Sequence, residues 1–284
     1  MVAFGFNFAM PFIFLQVIWA IGAGMIIMAA LVHLPARLSL VLGVFIVAGH
    51  ALMTPLAPEA GTPQAFVWSL FMQPGLAGFA PGFIAYPVIP WFGIMALGYG
   101  AGALFLKSES AQRRLLVITG VAMLALFAFL RGLNGYGDPR PWTSWPTGWQ
   151  TTLSFLNVSK YPPSLDFVLV TLGVSSLIAP AVARLGGALG DLLNALGREP
   201  LFVYLIHIYL AHAAAMALGV SQGVPASAFA NFLGDPSRLA ATGWGLNLFG
   251  VFVLWALICL ALWPLARWFA ALKRQNKAWW RSYV

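Results

Sequence analysis

The chain has 284 residues, 61% of them hydrophobic and only 8% charged, with a mean hydropathy of +0.87. Soluble domains hold roughly 45–50% apolar and about 25% charged residues, so this composition excludes a water-soluble fold and calls for an apolar solvent. Fifteen Lys and Arg against seven Asp and Glu match the basic bias of cytoplasmic loops, and nucleic-acid binding is not expected.

Seven apolar runs follow one another, at residues 12–34, 38–53, 82–106, 115–133, 164–183, 200–219 and 246–270. Each is bounded by Pro, Gly or charge, and crossing the hydrocarbon takes about 20 helical residues. The runs are continuous rather than alternating, and lipid tolerates no unpaired backbone, so they are expected to be helices. The expected fold is an all-α integral membrane protein, a polytopic bundle of about seven transmembrane helices that forms a single membrane domain over residues 1–284.

In the first run, Gln16 and Trp19 bring hydrogen-bonding groups into an apolar helix, most simply for helix–helix contact. His33 marks its inner end as an interfacial residue. The second run is short; it either extends through Ala36 and Arg37 or is partly re-entrant. His50 lies near its outer end. Arg113 and Arg114 precede the fourth run. After that run, Gly135-Tyr136-Gly137-Asp138-Pro139-Arg140-Pro141-Trp142 is turn chemistry with aromatics, leading to Trp145 and Trp149. It suits either an interfacial aromatic belt or a ligand platform.

Before the fifth run stand Asn157, Lys160 and the paired prolines Pro162 and Pro163, which favour a helix start. Asp166 then falls in the first turn, where the helix dipole suits an anion. Asn157 and Lys160 set an amide and an ammonium at the outer mouth of the bundle. The Gly186–Asn194 segment reads equally as an interfacial amphipathic helix or a flexible linker. The sixth run holds Tyr204, His207 and His212. His207 lies seven residues from Pro200, about 10 Å deep. It serves either an active site or a neutral contact with a neighbouring helix. His212 is five residues further on, out of register for chelating one metal with it. The single Cys259 allows neither an intrachain disulfide nor a thiolate metal site, and no metal site is expected.

Alternation over seven spans sorts the basic residues. One side holds Arg37, Lys107, Arg113, Arg114, Arg184, Arg198, Arg267, Lys273, Arg274, Lys277 and Arg281. The other holds Arg131, Arg140, Lys160 and Arg238. The positive-inside rule puts the first group, and the C-terminus, in the cytoplasm. The first span then begins outside behind a short uncharged tail with no signal peptide. Further spans upstream are the expected remedy, and unaided transfer of the short tail is the alternative.

Several stretches together carry a resemblance. They are Leu15-Gln16-Val17-Ile18-Trp19-Ala20-Ile21-Gly22, Tyr86-Pro87-Val88-Ile89-Pro90-Trp91-Phe92-Gly93 and Leu133-Asn134-Gly135-Tyr136-Gly137-Asp138-Pro139. To these add Leu156-Asn157-Val158-Ser159-Lys160-Tyr161-Pro162-Pro163-Ser164, the stretch from Gly197 to His207, and a tail from Arg267-Trp268-Phe269 to Trp279-Trp280-Arg281-Ser282-Tyr283. In order and spacing, from about Phe12 to the C-terminus, they resemble the bacterial branch of the heparan-alpha-glucosaminide N-acetyltransferase catalytic-domain family. The resemblance implies a multi-pass protein of the bacterial inner membrane. It also implies an acyltransferase that takes acetyl from cytoplasmic acetyl-CoA, its co-substrate, to an amine or hydroxyl acceptor across the membrane. It makes His207 a catalytic candidate and Asn157 and Lys160 acceptor-binding candidates. Arg113, Arg114 and Arg198 become candidates for the CoA phosphates. The family's principal histidine lies in an upstream region, so this chain reads as the C-terminal part of the acyltransferase domain. The expected partners are membrane lipids and a small-molecule or glycan acceptor, with a homo-oligomer compatible. The competing reading is a non-catalytic transporter or assembly subunit that keeps the bundle.

Overall fold

The computed structural model describes residues 13–76, 82–231, 239 and 241–275. These divide into two compact units that meet in sequence between Val182 and Ala183. Arg238, Lys277, Arg281 and the aromatic tail at 279–283 lie outside the described residues.

The N-terminal unit opens with strand β1 (Ile13–Leu15) and helices α1 (Val17–Leu31) and α2 (Ala36–Gly49). Helix α2 continues as a 3-10 helix through His50–Leu56. Next come α3 (Pro63–Phe71), β2 (Gly75–Leu76), β3 (Gly82–Ile84) and α4 (Val88–Ala101), the last continued by a 3-10 turn at Gly102–Leu106. Helices α5 (Glu109–Leu133), α6 (Gly148–Leu156) and α7 (Leu165–Val182) complete it. The C-terminal unit contains α8 (Gly187–Arg198), α9 (Pro200–Ser221), a 3-10 helix at Ala226–Asn231 and α10 (Leu248–Gln275).

Among the described residues six helical stretches are long and apolar enough to cross a membrane: Ala36–Leu56, Val88–Leu106, Glu109–Leu133, Leu165–Val182, Pro200–Ser221 and Leu248–Arg274. The all-α, multi-pass architecture is therefore as expected, with one difference. The first apolar run is not one long helix. Residues 13–15 pair in parallel with β3 (Ile13 with Gly82, Leu15 with Ile84), and only the apolar Val17–Leu31 stretch is helical. At about 1.5 Å per residue that helix rises roughly 22 Å, short of a 30 Å hydrocarbon core. Hydropathy averages over the window and does not register a partner strand some 70 residues away. The second run resolves the other way: it extends to Ala36 at its start and to Leu56 at its end as one helical stretch.

Glycine notches bring the helices of the N-terminal unit together, as expected where lipid offers no hydrophobic drive for helix association. A Cβ on Gly43 would lie 2.5 Å from the backbone nitrogen of Leu97, and one on Gly100 would lie 2.5 Å from that of Leu40. These contacts make α2 and α4 antiparallel. Gly24 meets Met95, and the Tyr99 hydroxyl donates to Val32 O (3.4 Å), so α1 and α4 run parallel. Gly120 against Leu177 and Gly173 against Leu124 make α5 and α7 antiparallel. The starts of α1, α4 and α7 and the ends of α2 and α5 thus share one end of the unit.

Two expected loops hold helices. Thr62 caps α3 through Ala65 N–H (3.2 Å), and Thr147 caps α6 through Gln150 N–H (3.3 Å), as Thr does at helix starts. The start of α7 is set by Ser164, whose hydroxyl accepts Phe167 N–H (3.0 Å), and not by the prolines before it.

Candidate functional site at one end of the N-terminal unit

The loop from α5 to α7 folds over that shared end around two buried side chains. The Arg131 side chain is 2% exposed, and its guanidinium donates to the carbonyls of Phe155 (2.9 Å), Arg140 (2.8 Å), Asn157 (3.1 Å) and Ser154 (3.3 Å). It closes the end of α6, where carbonyls lack helical partners. The Asp138 carboxylate lies 4.0 Å from Arg131 and accepts from Arg140 N–H (2.9 Å), Ser159 Oγ (3.0 Å) and Ser164 Oγ (2.7 Å). Trp142 donates its indole N–H to Arg131 O (2.8 Å), and both its backbone groups bond to the Asn134 amide (2.9 Å). Trp142 is thus a clasp for the loop, while Trp145 and Trp149 are exposed.

Asp166 is fully buried in the first turn of α7, where the sequence puts an anion. Its N–H bonds Gly137 O (3.0 Å), but neither carboxylate oxygen has a hydrogen-bond partner. Gly137 has φ 108°, and a Cβ there would lie 2.3 Å from Asp166 Oδ1. Only glycine supplies that conformation and that clearance.

Further unpartnered polar atoms sit at the same end. They are Trp19 Nε1 in the first turn of α1, Trp91 Nε1 in the first turn of α4 and His50 Nε2 past the end of α2. Trp19 and Trp91 pack against the same cluster of Ala20, Ala85 and Tyr86. The Tyr86 and Tyr161 hydroxyls are 3.2 Å apart, and Trp91 meets Phe167 edge-on at 6.5 Å. Tyr136 donates to Ala48 O, which ties the loop to α2. His50 Nδ1 lies 3.1 Å from Ile46 O. A carbonyl can only accept, so Nδ1 carries the proton and the buried Nε2 keeps its lone pair.

The acceptor-binding candidates lie on this loop. Asn157 is exposed at the end of α6 and lines a shallow cavity of about 540 Å³ with Trp145, Gln150 and Thr143. Lys160 is exposed, its ammonium 5.2 Å from the centre of the Tyr161 ring. Burial pushes the Tyr161 phenol up, but hydrogen bonding to Tyr86 and Lys160 and the Lys160 charge outweigh it. The phenol ends below its ordinary range.

His207 belongs to the C-terminal unit. It is half-buried, with Nδ1 3.1 Å from Val203 O and its ring 5.4 Å from Tyr204. By the same argument as for His50, Nδ1 carries a proton. Arg113 and Arg114 are exposed on the first turns of α5, in the N-terminal unit, and Arg198 is exposed at the end of α8, in the C-terminal unit. No cluster of His, Cys, Asp and Glu among the described residues could hold a metal ion.

Residues 1–134 match the family model described as heparan-alpha-glucosaminide N-acetyltransferase, catalytic. This is the family that the sequence motifs resemble. No curated protein and no solved structure matches the chain. Trp19, His50 and Trp91 fall inside the acetyltransferase match. Asn157, Lys160, Asp166 and His207 fall beyond it, as does Arg198.

Sequence reading passed over Trp91 and treated Trp19 as a helix–helix contact. An indole in the first turn of an apolar helix was the available signal, but only the fold shows its N–H to be buried without an acceptor. The Arg131–Asp138 pair gave none, because its partners are backbone groups of a loop whose path the sequence does not reveal.

Proposed function

We propose that this multi-pass membrane protein is an acyltransferase of the bacterial inner membrane. It would move an acetyl group from cytoplasmic acetyl-CoA to an extracytoplasmic amino sugar or similar acceptor. The acetyltransferase match over residues 1–134 carries the reading. In this reading the polar end of the N-terminal unit is the acceptor mouth, with Asn157 and Lys160 on its rim. Each buried polar group left unpaired costs about 1–3 kcal/mol. An acceptor with hydroxyl and amino groups offers partners to the indoles of Trp19 and Trp91, to His50 Nε2 and to the Asp166 carboxylate. His207 lines the acyl path. In the C-terminal unit its imidazole is the general-base candidate for the transfer. Arg113 and Arg114 in the N-terminal unit, and Arg198 in the C-terminal unit, are each candidates to meet CoA phosphates as charge-assisted donors.

The test is transfer of labelled acetyl from acetyl-CoA to glucosamine by the purified protein in proteoliposomes. His207→Ala is expected to abolish transfer with the folded yield unchanged. Undiminished transfer per folded molecule would remove His207 from the reaction. A folded protein that transfers nothing even when extended by the expected upstream spans would favour the transporter or assembly-subunit reading. Orientation has a separate test. A cysteine at Pro146 should react with an impermeant thiol reagent on intact cells and one at Ser110 should not, because the basic residues put Ser110 in the cytoplasm.

A further inference from the structure

In the C-terminal unit two helices face each other across a recess of about 390 Å³. On α8 it is lined by Asp191, Asn194, Ala195 and Arg198, spaced i, i+3, i+4 and i+7 along one face of the helix. On α10 the stripe is Arg267, Ala270, Ala271 and Arg274, with the same spacing. The three alanines keep the middle of the recess open, and the charges stand at its two ends.

Those ends differ in charge. At one, Arg267 lies 3.3 Å from Asp191, which also accepts the Trp263 indole N–H (3.1 Å). At the other end the buried Glu199, next to Arg198, is taken up by Lys273, next to Arg274, at 2.9 Å. Arg198 and Arg274 themselves have no acidic partner among the described residues. Two guanidinium groups therefore line one opening where the Glu199 carboxylate is already engaged by Lys273 and no other carboxylate among the described residues pairs with them, and like charges so arranged call for an anion.

The recess lies at a membrane surface. Helix α8 is amphipathic, with Leu189 and Leu193 exposed on its apolar side, the pattern of a helix in the interface plane. Helix α10 contributes the last two turns of its crossing stretch. Trp268, 59% exposed, stands at the rim, where Trp anchors at headgroup level. The geometry points to a phosphate-ester site between α8 and α10, gripped by Arg198 and Arg274. Its volume and its arginines suit the headgroup of an anionic phospholipid, and a soluble phosphate ester such as coenzyme A has the same chemistry. The site does not depend on whether the protein transfers acetyl groups.

The protein in mild detergent is titrated with phosphatidylglycerol, followed by native mass spectrometry, and separately with coenzyme A, followed by calorimetry. Arg198→Gln combined with Arg274→Gln is expected to weaken at least one ligand tenfold or more. Ala271→Leu, which fills the recess and keeps every charge, is expected to do the same. Arg37→Gln combined with Arg184→Gln removes as much charge elsewhere and is expected to leave binding within twofold. Loss in the lipid titration alone identifies a headgroup site, loss in the coenzyme titration alone a soluble phosphate ester, and loss in both a site that takes either. If the recess variants bind both ligands like the charge-matched control, or the wild-type protein binds neither, the site does not exist.

Discussion

The two units are built from equally apolar helices but hold them by different means. In the N-terminal unit 17–28% of the apolar 18-residue window of each crossing stretch is buried within the protein, whereas none of that window in Pro200–Ser221 and 6% of it in Leu248–Arg274 is. The N-terminal helices carry glycine where they meet, so backbones approach and a neighbour's side chain fills the notch. Helix α9 has no glycine before Gly219 and meets α10 through the stacked rings of Phe202 and Phe269 at 4.3 Å and the Lys273–Glu199 pair. Buried polar groups differ likewise. The N-terminal unit holds Arg131 and Asp138 in a closed hydrogen-bond network, while the Arg267–Asp191 pair of the C-terminal unit is open to solvent, at 61% and 49% exposure. Apolar content alone does not say how tightly a membrane helix is held.

The comparison is broken most forcefully at Arg131. Removing one partner of a buried, hydrogen-bonded charge pair typically costs about 3–5 kcal/mol. Arg131→Met is therefore expected to lose that much in reversible unfolding from mixed micelles. A loss under 1 kcal/mol would mean that the loop holds without its central pair.

Next comes the glycine seam. Gly43→Ala puts a methyl group against the Leu97 backbone, which cannot rotate away, and about 1–3 kcal/mol should be lost in the same assay. Gly98→Ala, with nothing within 4 Å of the added carbon, should be neutral or stabilise by up to about 1 kcal/mol. Equal effects at both positions would remove the seam as the cause of the tighter packing.

Ser164→Ala deletes the cap of α7 and one bond to Asp138, and about 1–2 kcal/mol is expected. The smallest effect belongs to the C-terminal unit. Arg267→Gln breaks an exposed ion pair, and its loss should stay within about 1 kcal/mol and shrink as salt is added. A larger, salt-independent loss would show that the C-terminal unit too depends on a charge network.

Part of the candidate site was legible in advance, and the reason differs from residue to residue. Asp166 in a first turn, Pro200 at a helix start and a polar loop before the fifth run all follow from local rules. Asn157 and Lys160 were placed on that loop correctly, but the shallow cavity beside Asn157 depends on α6, whose short amphipathic pattern hydropathy passes over. His207 was assigned a depth from Pro200 by counting, while the proton on its Nδ1 follows only from the position of Val203 O.

Composition and the order of apolar runs determined by themselves that the chain is an all-helical, multi-pass membrane protein, because lipid forces each long apolar run to satisfy its own backbone. Motif order named the family that residues 1–134 match. Tertiary structure alone decided that the first run divides into strand and short helix, which helices touch through glycine, and that Arg131 and Asp138 close the loop. It also brought Arg198 and Arg274 to one recess. Each of these depends on groups far apart in sequence, and the periodicity of a single segment carries no record of its distant partner.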